Sequence, residues 1–427
     1  MNIKCKRYLI VLVPAITITA TMSVDALTPQ EQLGKAIFFD SNLSINKNQS
    51  CASCHAPEVG WTGPNSAINV RGSVYEGSIS GRFGNRKPPS SAYAASSPVF
   101  HLEKQGKEWL FVGGNFWDGR ATGEKLGNPA ADQAQGPFLN PVEQALPDSA
   151  CVVYRVCDAN GYPVGFENVW GAESCAIAWP PDVEAICSAE GGTVDLTEAD
   201  RTKSDLAFDR IALSIAAFES SPESNAFTSK FDLRLKGKAK LAQEERRGFA
   251  LFKGKGKCVR CHTVAAGGKK SQFTDFTFDN LGLPKNPENP VYDADPGFVD
   301  PGLGGFLAKR LDYAALVLAN DGKHKVPTLR NLDKRPSEVL VKAYGHNGYF
   351  KSLKGIIHFY NTRDVKPVCP GPYTETEALA ANCWPSPEVT ANVNTSELGD
   401  LHLTAEEEDA IVAFLKTLSD GYAPSTQ

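Results

Sequence analysis

Apolar residues recur at helical spacing in three segments of the chain. A capping box from Thr28 to Glu31, with proline at the first helical position, predicts a helix from about Pro29 to Phe39. A second capping box predicts a helix from Thr404 to Leu418. The middle segment is predicted to be helical from Asp205 to Ser220, and the apolar residues of one face are Leu206, Ile211, Ile215 and Phe218. Elsewhere glycine and proline are frequent and strand patterns are weak, so we expect a mostly α-helical, loop-rich fold.

The first 26 residues form a separate segment. Three basic residues precede an apolar run from Tyr8 to Ala20, and Val24-Asp25-Ala26 ends in a small residue that suits signal peptidase. The run is shorter than the roughly 20 residues that span a bilayer. We interpret residues 1–26 as a cleaved signal peptide, with an uncleaved anchor as the alternative. The mature protein is then expected to be exported to the periplasm without a membrane span.

Composition narrows the possible partners. The chain has 427 residues, 44 Lys plus Arg and 49 Asp plus Glu, which gives a net charge of -5 and no long basic run. We therefore expect no nucleic-acid partner. Signal removal would leave ten of the eleven cysteines and no methionine, because Met1 and Met22 both lie in the removed segment.

Four cysteines lie in two CxxCH motifs, Cys51-Ala-Ser-Cys54-His55 and Cys258-Val-Arg-Cys261-His262. At this spacing two thiols can bond to the vinyl groups of a haem, and the histidine can ligate its iron. A redox CxxC pair or a zinc site is the alternative, but neither accounts for a histidine after both pairs. The motifs predict two covalently attached haem c groups.

Each CxxCH motif follows the same pattern, ExxGxAxF, at Glu31–Phe38 and at Glu245–Phe252. This repetition indicates a duplicated unit. We expect two cytochrome c-like domains, over residues 27–236 and 237–427. Their junction is placed near Lys230 to Lys240, where Gly237 lies among four lysines.

The six remaining cysteines suit disulfides in an oxidising compartment. Fifteen pairings are possible. We expect neighbours along the chain to pair, because each bond would then close a short loop in a Pro/Gly-rich insertion. The pairs are Cys151 with Cys157, Cys175 with Cys187 and Cys369 with Cys383.

The segment between the haem motifs carries a specific resemblance. Phe116-Trp-Asp-Gly-Arg-Ala121 and Asn140-Pro-Val-Glu143 lie between the CxxCH motifs, and Val326–Asn331 and His346-Asn-Gly348 follow the second. Together they resemble the bacterial di-haem cytochrome c peroxidase/MauG family. The resemblance covers most of the mature chain and implies a peroxidase-type oxidoreductase that uses H2O2. It implies that Trp117 relays electrons between the haems, and that Glu143 and Gln133 line the peroxide pocket.

The sixth ligand of the second haem distinguishes branches of this family. Peroxidases of the family typically place a methionine fourteen residues after the histidine of the HxG turn. Counting from His346, that position is Tyr360, where MauG-like members carry a tyrosine ligand. The resemblance thus implies that His262 and Tyr360 ligate the second iron. His358 is the competing candidate, and a purely structural role for Tyr360 in a buried helix is the other alternative.

The first haem is expected to be five-coordinate. His101 is the only histidine between His55 and Trp117, and it lies later than the removable distal histidine of many family members. The family's interdomain calcium takes an asparagine from a turn that matches Lys87 to Ser90, and that asparagine is Lys87 here. Calcium binding is therefore in doubt, and a lysine ammonium is expected to fill part of the space.

These expectations favour a MauG-like enzyme whose high-valent haem oxidises an aromatic side chain of a partner protein by long-range electron transfer. The first alternative is a cytochrome c peroxidase that reduces H2O2 with electrons from a small cytochrome or cupredoxin. A non-enzymatic di-haem electron carrier is the second, although a carrier does not need the Glu143 pocket.

Overall fold

The computed structural model describes residues 26–158, 161–268 and 270–424. The predicted signal peptide lies outside the described residues, apart from Ala26. None of the helices in the described ranges has the length and apolar character needed to cross a membrane.

Helices dominate the described part of the chain, as the sequence predicts, and they are joined by long loops. They are α1 Pro29–Phe39, α2 Cys51–Cys54, α3 Ser66–Asn69, α4 Pro129–Leu139, α5 Ser149–Cys157, α6 Pro163–Trp170, α7 Val183–Cys187, α8 Glu198–Ser220, α9 Lys230–Leu235, α10 Gln243–Lys253, α11 Val291–Ala294, α12 Gly302–Leu307, α13 Leu353–Thr362, α14 Glu375–Ala380 and α15 Ala405–Lys416. Two antiparallel strand pairs accompany them: β1 His101–Gln105 with β2 Glu108–Val112, and β3 Phe278–Asp279 with β4 His324–Lys325.

The three predicted helices are present. Helix α1 has the predicted bounds, and α15 differs from its prediction by one residue at the start and two at the end. Helix α8 begins seven residues earlier than predicted, because Thr197 caps it by accepting a hydrogen bond from the backbone N–H of Asp200. The predicted apolar face was wrong at Leu206, which is 50% exposed, whereas Phe208 is buried.

Two helix crossings repeat one geometry. Helix α1 packs on α8, and α10 packs on α15. A Cβ atom at Gly34 would overlap the carbonyl of Ser214, and one at Gly248 would overlap the carbonyl of Ala410. The glycine shared by the two ExxGxAxF patterns therefore lets each helix approach its partner closely. The duplicated unit predicted from the sequence is visible as this repeated helix pair.

Each helix pair has its own hydrophobic core. The first core contains Phe38, Ile215 and Phe218, and the second contains Phe252 and Phe414. Phe231 of α9 packs in the second core, although the predicted boundary placed it in the first domain. The division at residue 236 stays a prediction.

The predicted disulfide pairing is right for one bond and wrong for two. Cys369 pairs with Cys383, as expected, but the others are Cys151–Cys187 and Cys157–Cys175. Cys151 and Cys157 both lie in α5, where six residues rise by about 9 Å, further than a disulfide can span. The observed bonds instead tie α5 to α7 and to the turn after α6.

Candidate active site

A single cavity holds both CxxCH motifs. Its lining includes Cys51, Cys54 and His55 from the first half, and Cys258, Cys261 and His262 from the second. None of the four thiols takes part in a disulfide. The cavity therefore presents two pairs of free thiols, each next to a histidine, as haem attachment requires.

The two motif histidines are held in the same way. Nδ1 of His55 lies 3.2 Å from the carbonyl oxygen of Trp61, and Nδ1 of His262 lies 2.8 Å from that of Phe273. These carbonyls assign the proton to Nδ1, so that Nε2 keeps a free lone pair. Burial also lowers the pKa of both imidazoles to about 4 and keeps them neutral. Both histidines thus fit the role of iron ligand.

Glu143 and Gln133 line the same cavity, beside the first motif. Helix α4 supplies Gln133, and the turn after it supplies Glu143, whose backbone N–H donates to the carbonyl of Asn140. Asn140 Nδ2 also donates to Oε2 of Glu143 at 2.7 Å. Oε1 accepts no hydrogen bond from any described residue, and burial raises the pKa of the carboxyl. A carboxyl with a raised pKa and a free oxygen therefore lines the cavity beside the first CxxCH motif.

Trp117 is tied to both halves of the chain. Its indole N–H donates to the carbonyl of Lys87 at 2.8 Å, and its own carbonyl accepts a hydrogen bond from the backbone N–H of Lys325. The ring is 9% exposed and lines the cavity. Its position is therefore fixed by one segment from each half of the chain.

Of the two candidate ligands on α13, Tyr360 lines the cavity and His358 does not. Nδ1 of His358 lies 2.9 Å from a carboxylate oxygen of Glu408, on another side of the helix. Burial raises the pKa of the Tyr360 phenol, and the thiols of Cys258 and Cys261 raise it further. The phenol therefore shares the cavity with the second CxxCH motif.

His101 does not line the cavity. It is exposed on β1, and its Nδ1 lies 2.7 Å from the carbonyl oxygen of Val99. Besides His55 and His262, the described histidines that line the cavity are His324 and His346. Their rings stack on each other at 3.5 Å, and the His346 ring is 6.5 Å from Trp117.

The turn that would supply calcium ligands carries a buried cation instead. The ammonium of Lys87 donates to Oγ1 of Thr62 at 3.0 Å and to the carbonyl of Pro88 at 2.8 Å. Burial lowers its pKa to about 8, so it is mostly charged at neutral pH. An ammonium on these oxygens repels a divalent cation, and the turn does not fit calcium.

A further carboxyl in the cavity, that of Glu219, was not predicted from the sequence. This residue is 4% exposed, and burial raises its pKa to about 8. When it is ionised, Glu219 raises the pKa of the Cys51 thiol. The helical periodicity of α8 could have predicted that Glu219 is buried, because it follows the buried Ile215 by one helical turn.

Comparisons with known proteins identify the family of the chain. A family model described as di-haem cytochrome c peroxidase matches residues 28–240. The methylamine utilization protein MauG of Paracoccus denitrificans is 33% identical, over 98% of this chain and 96% of that protein. Cytochrome c551 peroxidase of Nitrosomonas europaea is 28% identical, over 78% of this chain and 73% of that protein.

A solved structure shares the fold. The diheme peroxidase BthA from Burkholderia thailandensis superposes with a TM-score of 0.68 at 26% identity, covering 93% of this chain and 87% of that one. Both the sequence and the fold therefore lead to one assignment: the chain belongs to the di-haem cytochrome c peroxidase/MauG family and is a peroxidase-type oxidoreductase with two haems.

Proposed function

We propose that this protein is a periplasmic, MauG-like enzyme that uses H2O2 to oxidise an aromatic side chain of a partner protein. Cys51 and Cys54 would hold the first haem covalently, and Cys258 and Cys261 the second. The bound haems would supply peroxide cleavage at one iron and storage of oxidising equivalents at both. Three disulfides and the predicted signal peptide support export to an oxidising compartment.

Glu143 would handle the proton in peroxide cleavage. Breaking the O–O bond needs a group that takes a proton from the inner oxygen and returns it to the outer one. The buried carboxyl has a raised pKa, and its Oε1 is free of protein hydrogen bonds among the described residues. Gln133 shares the cavity wall and can orient the peroxide through its amide.

Trp117 would carry electrons between the haem positions. Its hydrogen bonds to Lys87 and Lys325 hold the indole in one orientation, so no rearrangement is needed when charge passes. An indole fixed between two redox groups shortens each transfer distance. The relay role is supported by this placement rather than by burial alone.

The observation that carries the MauG-like proposal is that Tyr360 lines the cavity that holds the second CxxCH motif, in a chain without methionine after Met22. A phenolate oxygen is a hard, anionic ligand that favours the higher oxidation states of iron. The second haem would then share oxidising equivalents more readily than a methionine-ligated haem.

Replacing Tyr360 with phenylalanine tests this assignment. The ring volume is kept, so packing should survive, but the ligand oxygen is lost. We expect the ferric EPR and optical spectra of the second haem to change and its reduction potential to rise. His358→Phe is the matched control on the same helix, and it should leave the spectra unchanged. Unchanged spectra in Tyr360→Phe would make Tyr360 a packing residue.

A second candidate function is a cytochrome c peroxidase that takes electrons from a small cytochrome or cupredoxin. The similarity to cytochrome c551 peroxidase favours it. The two functions differ at the first haem, because reductively activated peroxidases need a ligand that closes it. The exposed position of His101 favours the open, MauG-like state. A simple electron carrier would not need Glu143 and Gln133 in the cavity.

A further inference from the structure

Tyr93 is a buried tyrosine in a backbone conformation that bulky residues rarely adopt. Its φ is +63° and ψ is 0°, in the left-handed region, and its side chain is 1% exposed. The residue lines the cavity that contains both CxxCH motifs. Its phenol donates a hydrogen bond to Oδ2 of Asp420 at 2.6 Å and accepts one from the backbone N–H of Phe227 at 3.1 Å.

The second half of the chain contains a matching segment with a different residue at this position. Residues 87–93 and 325–331 both begin with a buried lysine, carry proline third and a hydroxyl residue fourth, and end in the left-handed region. The last residue of the second segment is Asn331, and asparagine tolerates this conformation well. Tyr93 therefore occupies a position at which asparagine would cause less backbone strain. Backbone strain of this kind concentrates at functional sites.

The surroundings of the phenol favour loss of an electron together with a proton. The guanidinium of Arg330 lies 5.6 Å from the centre of the Tyr93 ring, and its own side chain is fully buried. A neighbouring cation disfavours a positively charged ring. Asp420 is the carboxylate within hydrogen-bonding distance, and it can take the proton as the electron leaves.

Asp420 also gives that proton a route to solvent. It is 8% exposed and lines a surface depression together with Lys230 and Tyr422. The Tyr93–Asp420 pair thus connects the interior cavity to the protein surface.

We propose that Tyr93 is a redox-active tyrosine that stores one oxidising equivalent for release toward the surface; this inference rests on the proposed function. The oxidant is the two-electron oxidised haem pair left by H2O2. In one step Tyr93 loses one electron to that pair, its O–H bond breaks, and the proton goes to Oδ2 of Asp420. A neutral tyrosyl radical and a protonated Asp420 result. One electron from the substrate protein then reduces the radical, and the proton returns to the phenol.

Freeze-quenched EPR of the di-haem protein after addition of H2O2 tests the proposal. We expect a tyrosyl radical signal that narrows when the protein contains ring-deuterated tyrosine. Tyr93→Phe should lose the signal, while the optical change of the haems on peroxide addition remains. Asp420→Asn keeps a hydrogen-bond acceptor but removes the proton acceptor, and it should also lose the signal.

Tyr75→Phe is the matched control, because Tyr75 lines the same cavity but donates to an amide oxygen, that of Asn69, instead of a carboxylate. It should keep the radical signal. A haem response to peroxide with no tyrosyl signal, or with a signal that survives in Tyr93→Phe, overturns the role of Tyr93 and leaves the proposed function standing. If the haem spectrum of the wild-type protein does not change on addition of H2O2, the proposed function is overturned, and this inference with it.

Discussion

At the scale of single residues, burial acts in the same direction on two groups that have different tasks. It raises the pKa of the Glu143 carboxyl and that of the Tyr360 phenol. For Glu143 the rise keeps a proton available closer to neutral pH, which suits proton transfer to peroxide. For Tyr360 it keeps the phenol protonated until a metal cation displaces the proton. Under the proposed function, one physical effect therefore prepares an acid at one haem and a ligand at the other.

Replacing Glu143 with glutamine keeps the shape of the side chain and its contact with Asn140 but removes the exchangeable proton. We expect the reaction of the ferric protein with H2O2 to slow by about 10² to 10⁴ fold, the usual contribution of general acid–base catalysis. Stopped-flow absorbance measures the rate. Glu190→Gln, at an exposed carboxylate paired with Arg82, should react at the wild-type rate. A Glu143→Gln rate equal to that of wild type would remove Glu143 from the mechanism.

The sequence predicts the haem attachment residues at this scale because CxxCH is a local motif. Tyr360 could be preferred over His358 only through the family offset, since both lie on one helix. Glu219 and Tyr93 were missed because their roles depend on what packs around them. Contacts such as Tyr93 with Asp420, 327 positions apart, leave no local pattern.

At the scale of elements, close helix crossings hold each half together. Gly34→Ala adds one methyl group against the carbonyl of Ser214, where α1 meets α8. We expect a loss of about 1 to 3 kcal/mol in the free energy of unfolding, because overpacking outweighs the better helix propensity of alanine. Gly165→Ala in α6 meets open space and should be neutral or stabilising. Urea unfolding measures the stability of both variants. Equal stability would show that close approach at Gly34 is not required where α1 packs on α8.

Helix α8 also makes stability depend on pH through Glu219. Its folded pKa is about 8, against an ordinary value of 4.5. Below pH 4.5 the Glu219 carboxyl is protonated in both the folded and the unfolded protein. Between pH 4.5 and 8 it is ionised only in the unfolded chain. The free energy of unfolding therefore falls as pH rises, by about 1.4 kcal/mol per pH unit from this group.

Glu219→Gln should remove this contribution, so that unfolding of the variant depends less on pH between 5 and 8 than unfolding of the wild type. Urea unfolding of the di-haem protein at several pH values measures the slope. The exposed Glu198 lies on the same helix, and Glu198→Gln should keep the wild-type slope. A slope unchanged by Glu219→Gln would show that the carboxyl is ionised in the folded protein.

The disulfides show where prediction at the element scale fails. Chain proximity suggested Cys151 with Cys157, but both lie in α5, and helix geometry keeps them apart. A helix prediction for residues 149–157 would have excluded that pair. Choosing their partners, Cys187 and Cys175, needs the packing of α5 against α7 and the turn after α6.

At the scale of the whole molecule, two similar halves enclose one cavity, and Trp117 is held by a segment from each half. Duplication could be predicted because the ExxGxAxF and CxxCH patterns recur in order. The shared cavity could not be predicted, because it depends on how residues 87–93 of one half pack against residues 325–331 of the other. Lys325 also ties the two halves together, because its ammonium donates to Oγ of Ser97 and to the carbonyl of Gly114.

In the proposed function, the first haem is open to peroxide, and the second, ligated by Tyr360, shares the oxidising equivalents. Addition of one equivalent of H2O2 to the as-isolated ferric protein, followed by absorbance and EPR spectroscopy, tests both statements together. We predict an immediate spectral change at both haems without prior reduction, persisting until a reductant is added. A ferric protein that stays inert to H2O2 until one haem has been reduced would contradict the account.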